Sequence, residues 1–153
     1  MSKSRNQIFI IVCAAILVLF ANLWGYPLYI LDEVKNAQCA REMMLSEDFI
    51  TPTFNGALRT DKPPLHYYFM ILSYKVFGFS PFAARFFSAV FGVLTVLLTF
   101  LISKKYVGDR GSKVTSVVMV ASIGAIFQFH LATPDAYLVF FFASSLFAYF
   151  HHF

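Results

Sequence analysis

A chain of 153 residues that is 59% hydrophobic, 19% aromatic and only 13% charged carries too few ionised side chains for a soluble domain, where about 25% are charged. Its net charge of +4 is scattered along the sequence, which excludes the basic stripe that nucleic-acid binding requires. A mean hydropathy of +0.68 points to a membrane protein. Of the two cysteines, Cys13 lies in an apolar run and Cys39 in a polar one, so no structural disulfide is expected between them.

The chain opens with "MSKSRNQIFIIVCAAILVLFANLWGYP", where Lys3 and Arg5 precede a stretch uncharged from Ile8 to Ile30. That stretch is longer than the core of about 7–15 residues in a signal peptide, and no A-x-A-like cleavage site follows. We read it as a retained first membrane helix. "LDEVKNAQCAREMM" comes next. Asp32 is placed to cap a helix and Glu33 to favour its dipole in the first turn. Glu33 and Arg41 are separated by roughly two turns, which predicts a juxtamembrane helix face showing a carboxylate and a guanidinium together.

"NGALRTDKPPL" has a turn at Asn55–Gly56, two cations in Arg59 and Lys62, and a carboxylate in Asp61. Pro63 and Pro64 stiffen the backbone, and Lys62, preceding a proline, is pushed away from helical dihedrals. The result is an elbow that aims a lysine along the membrane surface. Leu65–Phe79 is aromatic and amphipathic, with Lys75 inside it and Gly78 and Pro81 closing it; its composition suits the headgroup zone.

Spanning the hydrocarbon takes about 20 mostly apolar residues, and Phe86–Ser103, Val114–Pro134 and Ala136–Phe153 come near that length without a charge, apart from these limits. Charge decides the topology. The N-terminus and "SKKYVGDRGSK" together hold six basic residues and one acidic, whereas Leu31–Pro64 holds four basic and six acidic. Short cytoplasmic loops carry excess Lys and Arg, so both basic segments belong inside and Leu65–Phe79 does not cross. The expected architecture is therefore an all-α integral-membrane protein with about four transmembrane helices (about 8–26, 86–103, 114–132 and 136–153) and juxtamembrane amphipathic helices in an outer loop of about 31–83. Asp32, Glu33, Asp61, Lys62 and Asp135, the last from "TPDAYLVFF", then share one side. His130, one turn before Pro134, reads as a hydrogen-bonded interface histidine.

The ordered set "PLYILDEVKNAQCAREMMLSEDFITPTFNGALRTDKPPLHYYFMILSYKVFGFSPFAARFFSAVFG" and "TPDAYLVFF" resembles the N-terminal part of bacterial GT-C glycosyltransferases, chiefly lipid A aminoarabinose transferases and dolichyl-phosphate-mannose protein mannosyltransferases. The resemblance runs from about Pro27 to Phe141. It implies a multi-helix enzyme of the bacterial inner membrane that takes a polyprenyl-phosphate sugar donor and a lipid or protein acceptor on the periplasmic or extracellular face. It also implies that the rest of the domain lies beyond residues 1–153. By position, the family's Asp–Glu pair falls on Asp32–Glu33, its "AREM" arginine on Arg41, its acidic–Lys–Pro elbow on Asp61–Lys62–Pro63 and its later aspartate on Asp135. Lys35 and Asn36 stand where the family often has arginine and tyrosine, and Asp61 where it commonly has glutamate.

Displacing a lipid phosphate from an anomeric carbon calls for cations beside the departing phosphate, and the acceptor for a carboxylate that orients it or takes its proton. Asp32 and Glu33 are the catalytic candidates, with Arg41, Arg59, Lys62 and Asp135 as substrate and phosphate binders. Asp61 is the candidate ligand should a divalent metal be used. The alternative is a transporter or ion-coupled protein with Asp32 and Asp135 in a permeation site. Such sites lie near mid-bilayer on broken helices, whereas these acids fall at helix ends.

Overall fold

The computed structural model describes residues 2–29 and 31–152, and the side chains of residues 5–29 and 32–149. The side chain of Lys3 and the expected end of the last span at Phe153 lie outside them. Six helices and one small hairpin follow one another: α1 (Ser2–Leu19), α2 (Leu31–Ser46), β1 (Thr53–Phe54), β2 (Ala57–Leu58), α3 (Leu65–Phe77), α4 (Pro81–Ala121), α5 (Ile123–His130) and α6 (Asp135–His152). The architecture is mostly helical, as expected.

The central element is α4, against which α1, α3, α5 and α6 pack. Ser80 caps its start by accepting a hydrogen bond from the Ala83 N–H at 3.2 Å, and Pro81 takes the first turn, where a missing N–H costs nothing. Gly108 interrupts the helix with φ 77° and ψ −175°, a combination essentially confined to glycine. The chain folds back there. Thr99 Oγ1 donates to Met119 Sδ at 3.2 Å, and Lys104 Nζ lies 3.4 Å from the Asp109 carboxylate, so the limb after Gly108 runs antiparallel to the limb before it. The basic connection at Lys104–Lys113 is thus two helix ends and a single-residue turn rather than an extended loop.

The helices depart from the expected span limits at two places. Helix α1 ends at Leu19, and residues 20–26 form turns in which Asn22 takes a positive φ of 60°. The span expected over 114–132 is broken: α4 ends at Ala121, Ser122 is extended, and α5 runs only to His130. Thr133 and Pro134 then separate α5 from α6, because proline disfavours the helical region in the residue before it. Among the described residues, Pro81–Ala121 is the one helix long and apolar enough to cross a membrane; α5 and α6 reach that length only as a pair bent by 116°, and Arg5–Leu19 is apolar but shorter.

Two apolar cores hold the assembly. Phe91, Val96 and Phe100 of α4 bury against Ile11, Ala15 and Leu19 of α1, with Phe129 and Tyr137 from α5 and α6. Here α4 approaches its neighbours so closely that a Cβ on Gly92 would stand 2.6 Å from Phe129 Cγ and 2.9 Å from Leu19 Cδ1. A second core joins Cys39, Ala40 and Met43 of α2 to Tyr67, Met70 and Tyr74 of α3 and Ala83 and Ala84 of α4. Helix α3 buries His66, Tyr67, Met70, Ile71, Ser73 and Tyr74 and leaves Leu65, Tyr68, Leu72 and Val76 exposed. A helix was expected at 65–79, and it forms over Leu65–Phe77 with an apolar exposed face.

Candidate active site

The start of α2 is fixed by a buried ion pair. Arg85 Nε and Nη2 donate to Glu33 Oε1 and Oε2 at 2.7 and 2.9 Å, with both side chains at 0% exposure. The remaining guanidinium protons go to the carbonyls of Leu23 at 3.0 Å, Tyr26 at 2.9 Å and Pro27 at 3.1 Å, and the Tyr26 ring lies 3.9 Å from the guanidinium carbon. Glu33 Oε1 also accepts the Ala132 N–H at 3.0 Å, and Oε2 the Tyr29 N–H at 3.4 Å. One pair therefore ties the exit of α1, the start of α2, the start of α4 and the α5–α6 junction to a single point. With these carbonyls and N–H groups added, every donor of the guanidinium fork and both carboxylate oxygens are engaged, the condition under which a buried pair is tolerated.

This geometry corrects the predicted face. Glu33 points into the protein, whereas Arg41 is exposed and lies with its guanidinium 5.2 Å from the centre of the Phe79 ring. Eight residues turn a helix by about 80° beyond two full turns, enough to send one side chain inward and the other out. Arg41 does not join the site. Arg85 went unrecognised in the sequence, although a lone arginine between Ala84 and Phe86 at the head of an apolar run is a signal that a buried carboxylate must answer it.

With Glu33 held inside, its neighbour Asp32 projects at the surface, 51% exposed. Lys62 Nζ donates to Asp32 Oδ2 at 3.2 Å, and Arg59 Nη2 lies 3.8 Å from Oδ1. The elbow thus delivers its lysine to the acid 30 positions earlier. Arg59 is itself fixed from three sides. Its Nε and Nη2 bind Asp61 at 2.8 and 3.3 Å, its Nη1 donates to Asn36 Oδ1 at 3.1 Å and to Cys39 Sγ at 3.7 Å, and its N–H donates to the Pro52 carbonyl at 2.8 Å. The hydrogen bond from Arg59 holds the Asp61 carboxyl below the ordinary aspartate range. Asn36 carries the linkage onward, its Nδ2 donating to the Ala132 carbonyl at 3.1 Å.

The loop that carries Arg59 and Lys62 is anchored by Glu42. Its carboxylate accepts from Thr53 Oγ1 at 2.7 Å, Gln38 Nε2 at 2.8 Å and the N–H groups of Asn55 at 2.8 Å and Gly56 at 3.3 Å. Asn55 and Gly56 have φ of 52° and 77°, the double positive φ of a two-residue hairpin turn for which Asn-Gly is favoured. Asp135 is exposed in the first turn of α6 and lines a cavity of about 360 Å³ with Pro63, His66 and Tyr137. His130 is buried with its ring nitrogens 2.7 and 3.1 Å from the carbonyls of Ile126 and Ala21, as an interface histidine would be.

Asp32, Arg59, Asp61, Lys62 and Asp135 therefore gather at the end of the bundle where α1 leaves and where α4 and α6 begin. Asp61 is engaged by Arg59, and among the described residues no three His, Cys, Asp or Glu side chains converge on one point.

The sequence profile of the dolichyl-phosphate-mannose-protein mannosyltransferase family matches residues 61–152. The chain belongs to this family. Its relatives include an uncharacterised protein from Aquifex aeolicus, 32% identical over 148 residues, which covers 95% of this chain and 30% of the relative. The undecaprenyl phosphate-α-4-amino-4-deoxy-L-arabinose arabinosyl transferase of Pseudomonas savastanoi pv. phaseolicola is 32% identical over 117 residues, covering 76% of this chain and 22% of the relative. Among solved structures, ArnT from Cupriavidus metallidurans bound to undecaprenyl phosphate superposes with a TM-score of 0.82 at 26% identity, covering 90% of this chain and 26% of that one. The chain thus spans less than a third of the length of these relatives. The GT-C resemblance read from the motifs is shown by these matches.

Proposed function

We propose that this chain forms the acceptor-activating and phosphate-binding corner of an inverting, membrane-embedded glycosyltransferase that uses a polyprenyl-phosphate sugar. The observation that carries the reading is a surface carboxylate, Asp32, held between Lys62 and Arg59 at one end of an apolar bundle. Relatives named as undecaprenyl-phosphate-linked sugar transferases and a neighbour crystallised with undecaprenyl phosphate support the donor class. The acceptor is a lipid or a protein bearing a nucleophilic oxygen. In this reading α1, the two limbs of α4 with α5, and α6 make four crossings, with the site on the periplasmic or extracellular side of a bacterial inner membrane; the excess of Lys and Arg in the N-terminal and 104–113 segments supports that orientation.

The chemistry follows from the contacts. An incoming phosphate competes with Asp32 for Lys62 Nζ, because a dianionic or monoanionic oxygen cluster accepts more strongly than one carboxylate oxygen. Asp32 is then released to accept the proton of the acceptor oxygen. That oxygen forms its bond to the anomeric carbon as the bond from that carbon to the phosphate oxygen breaks. The polyprenyl phosphate departs with the electron pair, its charge met by Lys62 and Arg59. Asp61 and Asn36 hold the Arg59 guanidinium toward the site, and Glu33 acts as a positioning residue that fixes the backbone carrying Asp32. Asp135 faces the substrate from α6. Arg41, exposed against Phe79, takes no part in this corner.

The test is transfer by the full-length protein in proteoliposomes. Asp32→Asn should lower turnover by about 10²–10⁴-fold, the range for loss of a general base, with membrane insertion unchanged. Lys62→Ala should raise the donor KM. Normal turnover in Asp32→Asn would sink the assignment.

A further inference from the structure

Beside the charged corner lies a cavity of which the reaction above uses only Asp135. His66 and Tyr137, 1% and 3% exposed, form part of its wall with Pro63, Pro134 and Asp135. Its volume of about 360 Å³ falls within the range of about 300–1,000 Å³ for small-molecule sites. His66 Nδ1 lies 2.8 Å from the Pro63 carbonyl oxygen. A carbonyl only accepts, so Nδ1 carries the ring proton and Nε2 is left as a bare acceptor. Nε2 is buried and has no hydrogen-bond partner among the described residues, and the same is true of the Tyr137 hydroxyl. Burial pushes the imidazole down to about 4, with Arg59 and Lys62 adding to the shift and Asp135 opposing it. The ring is therefore neutral at physiological pH and its acceptor stays available.

A buried acceptor left unpaired is costly, and native structures rarely keep one without reason. His66 and Asp135 both line the cavity, and the unpaired Nε2 and the Asp135 carboxylate each call for a donor. A phosphate, which supplies acceptors, is refused, and a hydrocarbon chain would leave Nε2 unsatisfied. A sugar ring meets both needs, with hydroxyl or amino donors on its rim and C–H faces for the two prolines and the tyrosine ring. Pro63, in the cavity wall, directly follows Lys62 in the chain, so a phosphate held by Lys62 is one residue removed from that wall.

We propose that this cavity seats the monosaccharide ring of the donor, and that His66 Nε2 accepts a hydrogen bond from one ring hydroxyl or amino group and thereby selects the sugar. The proposal rests on the glycosyltransferase reading and names the residue that sets its specificity. His66 is not catalytic: it touches a group remote from the bond that breaks.

Initial rates are measured for the full-length protein in proteoliposomes with a panel of polyprenyl-phosphate monosaccharides, then with the monodeoxy analogues of whichever sugar it transfers. The unsubstituted protein should use one analogue about tenfold less well than its parent, the usual size of one hydrogen bond. His66→Phe should lower use of the parent sugar by a similar factor and abolish that one discrimination while keeping the others. His66→Gln, whose side-chain oxygen replaces the Nε2 acceptor, should restore part of it. A His66→Phe protein as selective as the unsubstituted one overturns the inference. If His66→Phe does not reach the membrane, the unsubstituted protein decides alone, since equal use of every monodeoxy analogue removes the contact. Transfer with unaltered selectivity defeats only this inference, whereas no transfer from any lipid-phosphate sugar defeats the glycosyltransferase reading and this inference with it.

Discussion

Arg85 directs its donors to one carboxylate and three backbone carbonyls, so it acts as a rivet and not as a substrate group. Removing one partner of such a pair leaves the other charged and buried, a loss of about 3–5 kcal/mol. Arg85→Met should therefore lower the thermal stability of the detergent-solubilised protein sharply. Adding Glu33→Met should recover part of that loss, because no uncompensated charge then remains. A double variant as unstable as the single one would show that the ion pair is not what holds these segments. At this scale the placement of Asp32 and Lys62 was legible in the sequence, and that of Glu33 and Arg85 was not. Asp32 and Lys62 stand next to helix-breaking and turn-forming residues, so their surface placement follows from local chemistry. Glu33 sits one position from Asp32 with the same charge. Only the arrival of Arg85 from 52 positions away tells the two apart.

Among the elements, the fold-back at Gly108 shows how much of a span can hide in composition. The charge cluster around it marked a turn, but nothing in "SKKYVGDRGSK" says that helix continues on both sides to a single residue. Pairing of Thr99 with Met119 and of Lys104 with Asp109 keeps the limbs together, and those are tertiary facts. A Cβ at Gly108 would meet nothing within 4 Å, so the penalty of Gly108→Ala comes from the backbone alone, about 1–3 kcal/mol. The variant should lose thermal stability by that amount while Asp32-dependent transfer survives at lower temperature. Full stability in Gly108→Ala would mean the turn readily adopts another geometry. The break between α5 and α6 was half visible: Thr133–Pro134 announced it, but the early end of α4 at Ala121 did not show, since Val114–Leu131 reads as one uninterrupted apolar run.

On the scale of the whole molecule, an excess of bases lies at one end and most of the acids at the other. Arg5, Lys104, Lys105, Arg110 and Lys113 flank the Gly108 end, and the Asp32–Lys62 corner lies at the other. The limb of α4 before Gly108, at about 1.5 Å per residue, exceeds the roughly 30 Å of a hydrocarbon core. Positions at the two ends should therefore react with a membrane-impermeant thiol reagent from opposite sides: Ser46→Cys from outside the cell, Lys113→Cys only after the membrane is opened. Both positions are exposed, so burial does not confound the comparison. Equal labelling from outside would place both ends on one side and separate this chain from its proposed orientation. The expected sidedness rests on summed charge, which sequence records directly.

Asn36 gives the corner a property that none of its charged members has alone. One face of its amide receives Arg59 and the other grips the chain at Ala132, three residues ahead of Asp135. Whatever draws the guanidinium forward also loads the peptide that leads into α6. The arrival of lipid-borne phosphate on one wall would thus be felt mechanically on the facing wall, making occupancy of the two halves interdependent without any moving lid.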